Sequence, residues 1–201
     1  MLKSDSNARS FQDKIGKALA FIPLSPNQWT LLSLLAAFAA SYLIINGMFL
    51  YAAIVFAAAV FFDAVDGAVA RATNKSTKFG AFFDGIVDRL AEGAVLFSLL
   101  FINLLDAYAS MAIVFMLFFG TCMTSFVRAY AHHKGVIKEG DLAKITGFFE
   151  RAERTILIVL MLVAASFDIA WLAYPAYLGA ALSILTFLQR FFYIYARRKN
   201  E

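Results

Sequence analysis

Residues 49–88 read FLYAAIVFAAAVFFDAVDGAVARATNKSTKFGAFFDGIVD, and two features of this stretch decide the fold. An apolar run that can cross a bilayer as one helix carries two aspartates, Asp63 and Asp66, in its last turns. After a short polar connection a second run begins, with Asp84 and Asp88 in its first turns. Because backbone groups in hydrocarbon must be satisfied internally, unbroken runs of this kind predict transmembrane helices.

The composition extends this prediction to the whole chain. Of the 201 residues, 62% are apolar and 16% are charged, and the mean hydropathy is +0.73. Soluble domains carry about 45–50% apolar and about 25% charged residues. We therefore expect an all-α, polytopic membrane protein, and we exclude a disordered chain, a disulfide scaffold and a nucleic-acid-binding protein. The single cysteine, Cys122, rules out an intrachain disulfide and a cysteine-built metal site.

Six apolar runs can be distinguished, and six spans of about 20 residues would need about 120 residues. The predicted spans are 29–45, 49–70, 79–105, 108–130, 152–167 and 171–194. We treat 1–201 as a single membrane domain, with a cytoplasmic juxtamembrane segment (1–26) and a six-helix bundle (27–197). Within the first segment, apolar residues at helical spacing over 11–22 predict a short amphipathic helix in the membrane interface.

The lysines and arginines, 18 in all, fall on one side of this arrangement. They lie before the first span, between spans two and three, around the connection from four to five, at the end of the chain and, as Arg89, near the start of span three. The connections after spans one, three and five carry none. Positive residues are enriched in cytoplasmic segments, so we expect a cell-membrane protein with both termini in the cytoplasm.

Acidic residues cluster inside two predicted spans. A carboxylate within a membrane helix costs about 3 kcal/mol on insertion scales and usually marks a functional site. Asp63 and Asp66 are three residues apart, and Asp84, Asp88 and Glu92 follow at steps of four, so each set projects from one helix face. Two antiparallel helices would set these faces opposite one another, where the carboxylates repel unless a cation neutralises them. Oxygen ligands favour Mg²⁺, Mn²⁺ or Ca²⁺.

A purely structural role for these aspartates is also open. They could be solvated at the interface, or they could form ion pairs with Arg71 and Arg89. Gly67, which follows Asp66 directly, argues for a site instead, because a residue without a Cβ lets a ligand or a neighbouring helix come close. Two cations about 3.5–4 Å apart are the usual device for clamping the oxygens of a phosphoryl transfer.

The residues of this region form one pattern: Asp63-x-x-Asp66-Gly67-x-x-Ala70-Arg71, eight residues, then Gly80-x-x-x-Asp84-x-x-x-Asp88. At every fixed position the pattern resembles the signature of the CDP-alcohol phosphotransferase family. The six-span layout is also similar to that family, and so is the start of the first span, Pro26-Asn27-x-x-Thr30.

The resemblance implies an enzyme that transfers a phosphatidyl-type group from a CDP-linked lipid alcohol to a second alcohol and releases CMP. Its cofactors would be two divalent cations, Mg²⁺ or Mn²⁺. The implied cation ligands are Asp63, Asp66, Asp84 and Asp88, and Asp88 would also act as general base. The residues implied to contact the CDP group are Asn27, Thr30, Asp66, Gly67, Ala70, Arg71 and Thr77. Family members are commonly homodimers, and the active site would face the cytoplasm.

The acceptor alcohol is predicted from a basic region between spans four and six. The run Glu150-Arg151-x-Glu153-Arg154 resembles the inositol-phosphate-using branch of the family, the phosphatidylinositol phosphate and archaetidylinositol phosphate synthases. That branch implies an acceptor-phosphate pocket formed by Arg128, Arg151, Arg154 and Arg190. Several arginines around one cavity would select a dianionic acceptor over a neutral one. Alternatively, Arg151 and Arg154 could pair with Glu150 and Glu153 in a basic interfacial belt.

Two residues depart from that branch and leave the acceptor open. Its members usually carry an Arg and a Glu where this chain has Tyr130 and His132. We expect His132 and His133 to be surface residues rather than metal ligands, because the aspartates already supply oxygen ligands.

Other functions also stay open at this point. Soluble CDP-inositol could replace the lipid donor, although relatives that use it often carry a cytidylyltransferase domain in front. Glycerol phosphate could replace inositol phosphate as the acceptor. A transporter could use the four aspartates as an ion path, but transport sites usually lie near the membrane midplane, and these residues lie near helix ends.

Overall fold

The computed structural model describes residues 16, 18–19, 21–102 and 106–197, and these ranges contain helices and turns but no strand. The six long helices are α1 (Pro26–Ile45), α2 (Phe49–Ala72), α3 (Lys78–Leu99), α4 (Ala107–His133), α5 (Arg151–Phe167) and α6 (Ala173–Arg197). Short 3₁₀ segments at Glu139–Lys144 and Ile169–Leu172 lie in the connections before α5 and α6. The predicted all-helical fold is confirmed for the described ranges.

Within the described ranges, four helices are long and apolar enough to cross a membrane: α1, α2, α4 and the stretch Ile169–Arg197 that contains α6. The other two depart from a simple membrane helix in different ways. α3 carries Asp84, Asp88, Arg89 and Glu92, and α5 has only 17 residues. Length and composition therefore support a multi-pass helical membrane protein, while the count of six spans stays a prediction.

Local sequence determines where the helices begin and turn. α1 begins after Ser25, whose N–H donates to Gln28 Oε1 at 2.7 Å, so the first turn is closed by a capping box. Gly47 adopts a φ of +73°, which allows the tight turn from α1 to α2. α3 begins after Thr77, whose Oγ1 accepts a hydrogen bond from the Gly80 N–H at 2.9 Å.

Two features differ from the predicted spans. α3 ends at Leu99, although the apolar pattern predicted a span to residue 105, and residues 103–105 lie outside the described ranges. α4 contains a π-helical segment, Met116–Met123, which no hydrophobic pattern indicates because all its residues except Gly120 and Thr121 are apolar. The amphipathic helix predicted over 11–22 falls mostly outside the described residues.

The packing of α1 opens a gap between the two acidic helices. α1 packs along both α2 and α3, whereas α2 and α3 contact each other little. α2 also packs on α5, and α4 packs on α3 and α6. The main apolar core, which includes Ile44, Leu96, Ile113 and Leu162, fills the end of the bundle near the connections after α1, α3 and α5. The acidic residues of α2 and α3 lie at the opposite end, where the helices leave room for polar side chains.

Candidate active site

Three aspartates converge at this end and form what we call the carboxylate cluster. One carboxylate oxygen each from Asp63, Asp66 and Asp84 lies within 4.8 Å of the others. Ligand oxygens about 2.1 Å from a Mg²⁺ ion lie within about 4.2 Å of one another, so small side-chain movements would close this group around a cation. The structure thus brings together three of the four predicted cation ligands.

Asp66 is held in place from α1. The Thr30 hydroxyl donates to Asp66 Oδ2 at 2.5 Å, and both side chains are buried. A buried carboxylate needs a hydrogen bond or an opposite charge to offset the loss of water. Thr30 supplies the hydrogen bond, and a cation in the carboxylate cluster would supply the charge.

Asp88 is not one of the three aspartates of the carboxylate cluster, but a shared arginine links it to Asp63. Arg151 Nη2 lies 2.7 Å from Asp88 Oδ1 and 2.9 Å from Asp63 Oδ1. Arg89 Nη1 lies 3.3 Å from Asp88 Oδ2, as the structural alternative for these aspartates allowed. Asp63 Oδ1 and Asp88 Oδ1 are both buried and accept no well-directed hydrogen bond from the described residues. This all-oxygen donor set, with two buried oxygens lacking a directed donor, fits divalent cations.

A cleft of about 170 Å³ lies between the first turn of α1, the last turns of α2 and the start of α3. All seven residues predicted to contact the CDP group line it: Asn27, Thr30, Asp66, Gly67, Ala70, Arg71 and Thr77. We call it the CDP cleft. The sequence did not single out Lys75 and Ser76, which also line it, because they lie in the eight-residue spacer that the motif leaves unspecified.

Glycines keep the CDP cleft open. A Cβ at residue 80 would lie 3.1 Å from Thr77 Oγ1 and 3.4 Å from Asn27 Oδ1, so a side chain there would press on two cleft residues. A Cβ at residue 67 would lie 3.4 Å from Arg71 Nη1. The cleft therefore has basic residues at one end and the carboxylates of Asp66 and Asp84 at the other, an arrangement that suits an anion held against bound cations.

A larger cavity of about 470 Å³, which we call the arginine pocket, lies among α3, α4, α5 and α6. Its lining includes all four arginines predicted to bind the acceptor phosphate: Arg128, Arg151, Arg154 and Arg190. Sequence reasoning missed Arg89, Ser125 and His132, which line it too. Helical spacing was the available signal, since Ser125, Arg128 and His132 recur at steps of three and four on one face of α4.

Like Arg89 and Arg151, the pocket arginines Arg154 and Arg190 are already paired. Arg154 Nε lies 2.5 Å from Glu92 Oε1, its Nη2 lies 3.0 Å from Glu92 Oε2, and both residues are buried. Arg190 Nη1 donates to the Thr124 carbonyl at 2.7 Å, and Arg190 Nη2 pairs with Glu150. The alternative in which Arg151 and Arg154 pair with Glu150 and Glu153 was therefore wrong. The helices are rotated so that Arg151 contacts Asp63 and Asp88 and Arg154 contacts Glu92 instead.

Gly120, in the π-helical segment of α4, allows α4, α5 and α6 to pack closely. A Cβ at Gly120 would lie 2.7 Å from Ser183 Oγ of α6 and 2.9 Å from Arg154 Cδ of α5. Only glycine lets the three helices meet here.

His132, expected to be a surface residue, is exposed and at the same time lines the arginine pocket.

Comparison with known proteins agrees with this geometry. The chain matches the sequence model of the family described as CDP-alcohol phosphatidyltransferase over residues 23–191. It is 36% identical over 188 residues to the archaetidylinositol phosphate synthase of Pyrococcus horikoshii, covering 94% of this chain and 91% of that one. It is 32% identical over 197 residues to the archaetidylinositol phosphate synthase of Methanothermobacter thermautotrophicus, covering 95% and 92%.

Solved structures are similar as well. The Mycobacterium tuberculosis phosphatidylinositol phosphate synthase with CDP-DAG bound superposes with a TM-score of 0.77 at 29% identity, covering 92% of this chain and 93% of that one. Its complex with manganese and citrate gives a TM-score of 0.78 at 29% identity, covering 92% and 88%. The family predicted from the aspartate motif is confirmed. The chain belongs to the CDP-alcohol phosphatidyltransferase family and is an enzyme.

Proposed function

We propose that the protein transfers the phosphatidyl-type group of a CDP-linked lipid to inositol phosphate and releases CMP, a step of phospholipid biosynthesis. One observation carries this proposal: the CDP cleft and the arginine pocket flank the same carboxylates. Asp84 belongs to the carboxylate cluster and lines the CDP cleft, while Arg151 lines the arginine pocket and contacts Asp63 and Asp88. A donor and an acceptor bound in the two cavities would meet there.

The donor half rests on the CDP cleft and the carboxylate cluster. Arg71 and Lys75 can bind phosphate oxygens, because charge-assisted hydrogen bonds to phosphate are strong. Two divalent cations, when bound to the carboxylates, would neutralise the pyrophosphate and stabilise the leaving CMP. The manganese and the CDP-DAG in the M. tuberculosis structures support this assignment.

The acceptor half rests on Asp88 and the arginine pocket. Asp88 contacts Arg89 and Arg151, which both line that pocket, and we assign its carboxylate as the group that accepts the proton of a hydroxyl bound beside them. The acceptor oxygen then bonds to the phosphorus that carries the lipid, and the bond from that phosphorus to CMP breaks. Arg128 forms no ion pair among the described residues, which makes its guanidinium available to the acceptor's phosphate.

The choice of inositol phosphate follows from charge and from relatives. Five arginines line the arginine pocket, and Glu150 is the acidic residue in its lining. Such a pocket favours a dianion over serine or glycerol. The relatives named archaetidylinositol phosphate synthase and phosphatidylinositol phosphate synthase support the inositol phosphate acceptor and a lipid donor.

All six long helices cross the bilayer in this proposal, with both termini and the carboxylate cluster on the cytoplasmic side. At about 1.5 Å per residue, the 22 residues of α3 and the 17 of α5 extend about 33 and 26 Å, close to a hydrocarbon core of about 30 Å. Single cysteines in a Cys122→Ser background test the topology. Asn74→Cys should react with an impermeant reagent only from the cytoplasmic side, and Asn46→Cys only from the other.

We extend the proposal to a homodimer, as is common in the family. Light scattering of the purified protein in detergent should give the mass of two chains. A monomeric mass at concentrations that retain activity would overturn this part alone.

The test of function is profiling of donor and acceptor with CMP release as the readout. We expect turnover with CDP-diradylglycerol plus inositol phosphate, and the product should be extractable into organic solvent. Turnover should be low with free inositol, with serine and with glycerol phosphate as the acceptor. Turnover with CDP-inositol that gives a water-soluble product would show that the donor is CDP-inositol and not a CDP-linked lipid. Cation flux in liposomes without CMP release would overturn the proposal.

A further inference from the structure

Arg151 occupies an unusual position for a residue predicted to bind acceptor phosphate. It is the first residue of α5 and lines the arginine pocket. Its Nη2 nevertheless points the other way and lies within 2.9 Å of carboxylates from two different helices, Asp63 of α2 and Asp88 of α3. Arg151 thus stands between the arginine pocket and the carboxylates.

A guanidinium nitrogen and a divalent cation cannot share this point. Mg²⁺ binds carboxylate oxygen at about 2.0–2.1 Å, closer than the nitrogen lies, and the two positive charges would repel. Arg151 and Arg89 together bring two positive charges to the four carboxylates of Asp63, Asp66, Asp84 and Asp88, which therefore keep an excess negative charge. A divalent ion bound to Asp63 and Asp88 would bring two positive charges in place of one and would exclude Arg151.

Of the three paired arginines that α5 and α6 bring to the pocket, Arg151, Arg154 and Arg190, Arg151 can leave its partners at the smallest cost. Arg154 is fixed by two bonds to the buried Glu92, and Arg190 by the Thr124 carbonyl and Glu150. Moving either would leave a buried charge unpaired, which is strongly unfavourable. The Arg151 side chain is 36% exposed and already borders the arginine pocket, so it can turn into it when a cation takes over Asp63 and Asp88.

We propose that Arg151 is exchanged for a cation: it bridges Asp63 and Asp88 in the metal-free enzyme, and a divalent ion at that position displaces it into the arginine pocket, where it binds the acceptor phosphate. Cation binding and acceptor binding then favour each other. The cation releases Arg151 to bind the acceptor phosphate, and an acceptor that holds Arg151 leaves Asp63 and Asp88 available to the cation. The exchange itself follows from the Asp63–Arg151–Asp88 contacts. Its link to inositol phosphate rests on the proposed function.

The first test uses Mn²⁺ alone as the probe, with free Mn²⁺ measured by electron paramagnetic resonance on the full chain in detergent. Arg151→Gln should tighten the weaker Mn²⁺ site about fivefold or more and leave the tighter site unchanged. Arg128→Gln, which removes a pocket arginine that touches neither carboxylate, is the matched control and should change neither site. Unchanged or weaker Mn²⁺ binding in a folded Arg151→Gln protein would overturn the exchange.

The second test measures inositol phosphate binding by calorimetry without donor, with and without Mn²⁺. In the unaltered protein Mn²⁺ should tighten binding about threefold or more, and Arg151→Gln should lose most of that gain while Arg128→Gln keeps it. Equal binding with and without Mn²⁺ in the unaltered protein would overturn the coupling even if the variants failed to fold. Absence of inositol phosphate binding together with the predicted Mn²⁺ shift would reject the proposed acceptor and leave the exchange standing.

Discussion

The CDP cleft and the arginine pocket are built in opposite ways. The cleft takes its predicted residues from two short segments, 27–30 and 66–77, so fixed spacing in the sequence translates directly into shared position. The pocket gathers residues from α3, α4, α5 and α6, and several of its charges already have partners. A motif can therefore identify the proposed donor site, whereas the proposed acceptor site depends on how four helices are rotated against one another.

The largest expected effect comes from the side of this comparison that the motif describes. Asp84 belongs to the carboxylate cluster and lines the CDP cleft, so Asp84→Asn removes a charge that cations need. We expect CMP release to fall by about 10³-fold, a loss typical of removing preorganised electrostatic stabilisation. Asp106→Asn is the matched control, because Asp106 caps α4 at the connection after α3 and Asn caps equally well. Comparable losses in both variants would contradict the assignment.

The next effect tests whether the buried ion pair of the pocket is structural. Glu92→Gln leaves the Arg154 guanidinium buried without its counter-charge, and we expect a loss of about 3–5 kcal/mol in the free energy of unfolding. The measurement is unfolding of the purified protein in detergent. Replacing both residues with Met should restore most of the stability. If the double variant stayed as unstable as the single one, the pair would not be the cause.

Arg128→Gln tests the arginine that forms no ion pair among the described residues. Loss of a charge-assisted hydrogen bond of about 1.5–3 kcal/mol should raise KM for inositol phosphate by about 10- to 100-fold. The KM for the CDP-linked donor should stay within about twofold, because Arg128 lines only the arginine pocket of the two cavities. A matching rise in the donor KM would show that the two cavities do not divide the substrates.

The smallest effect returns to the CDP cleft. Gly67→Ala places a methyl group 3.4 Å from Arg71 Nη1, so that guanidinium must shift slightly. We expect a rise of a few-fold in the donor KM together with a gain of about 0.8–1 kcal/mol in stability, since Ala is the better helix former. Steady-state kinetics and thermal unfolding measure the two effects, and a fall in both KM and stability would refute the account of Gly67.

The sequence predicts much of the fold because membrane helices have a strong local signal. The apolar runs located all six helices, and the Asp63–Asp88 pattern located the carboxylate cluster. The end of α3 at Leu99 and the π-helical segment of α4 were not predictable, since the surrounding residues stay apolar and give no boundary.

The arginine pocket shows where such reasoning stops. Its four predicted arginines do converge, but the partners of Arg151 and Arg154 were not predicted. Glu92 and Arg154 are 62 residues apart, and their pairing depends on the rotation of α3 and α5. The position of Glu153 next to Arg154 in the sequence gives no information about that rotation. His132 and Ser125 could have been assigned to the pocket only by following the face of α4 that carries Arg128.

The central claim is that the carboxylates of α2 and α3 hold divalent cations between the two cavities. Crystals grown with Mn²⁺ and a CDP-linked lipid, examined for anomalous scattering, test it most directly. We expect two manganese peaks, one within the carboxylate cluster and one between Asp63 and Asp88, with the Arg151 guanidinium turned into the arginine pocket. Crystals that contain the nucleotide but no manganese between α2 and α3 would contradict it.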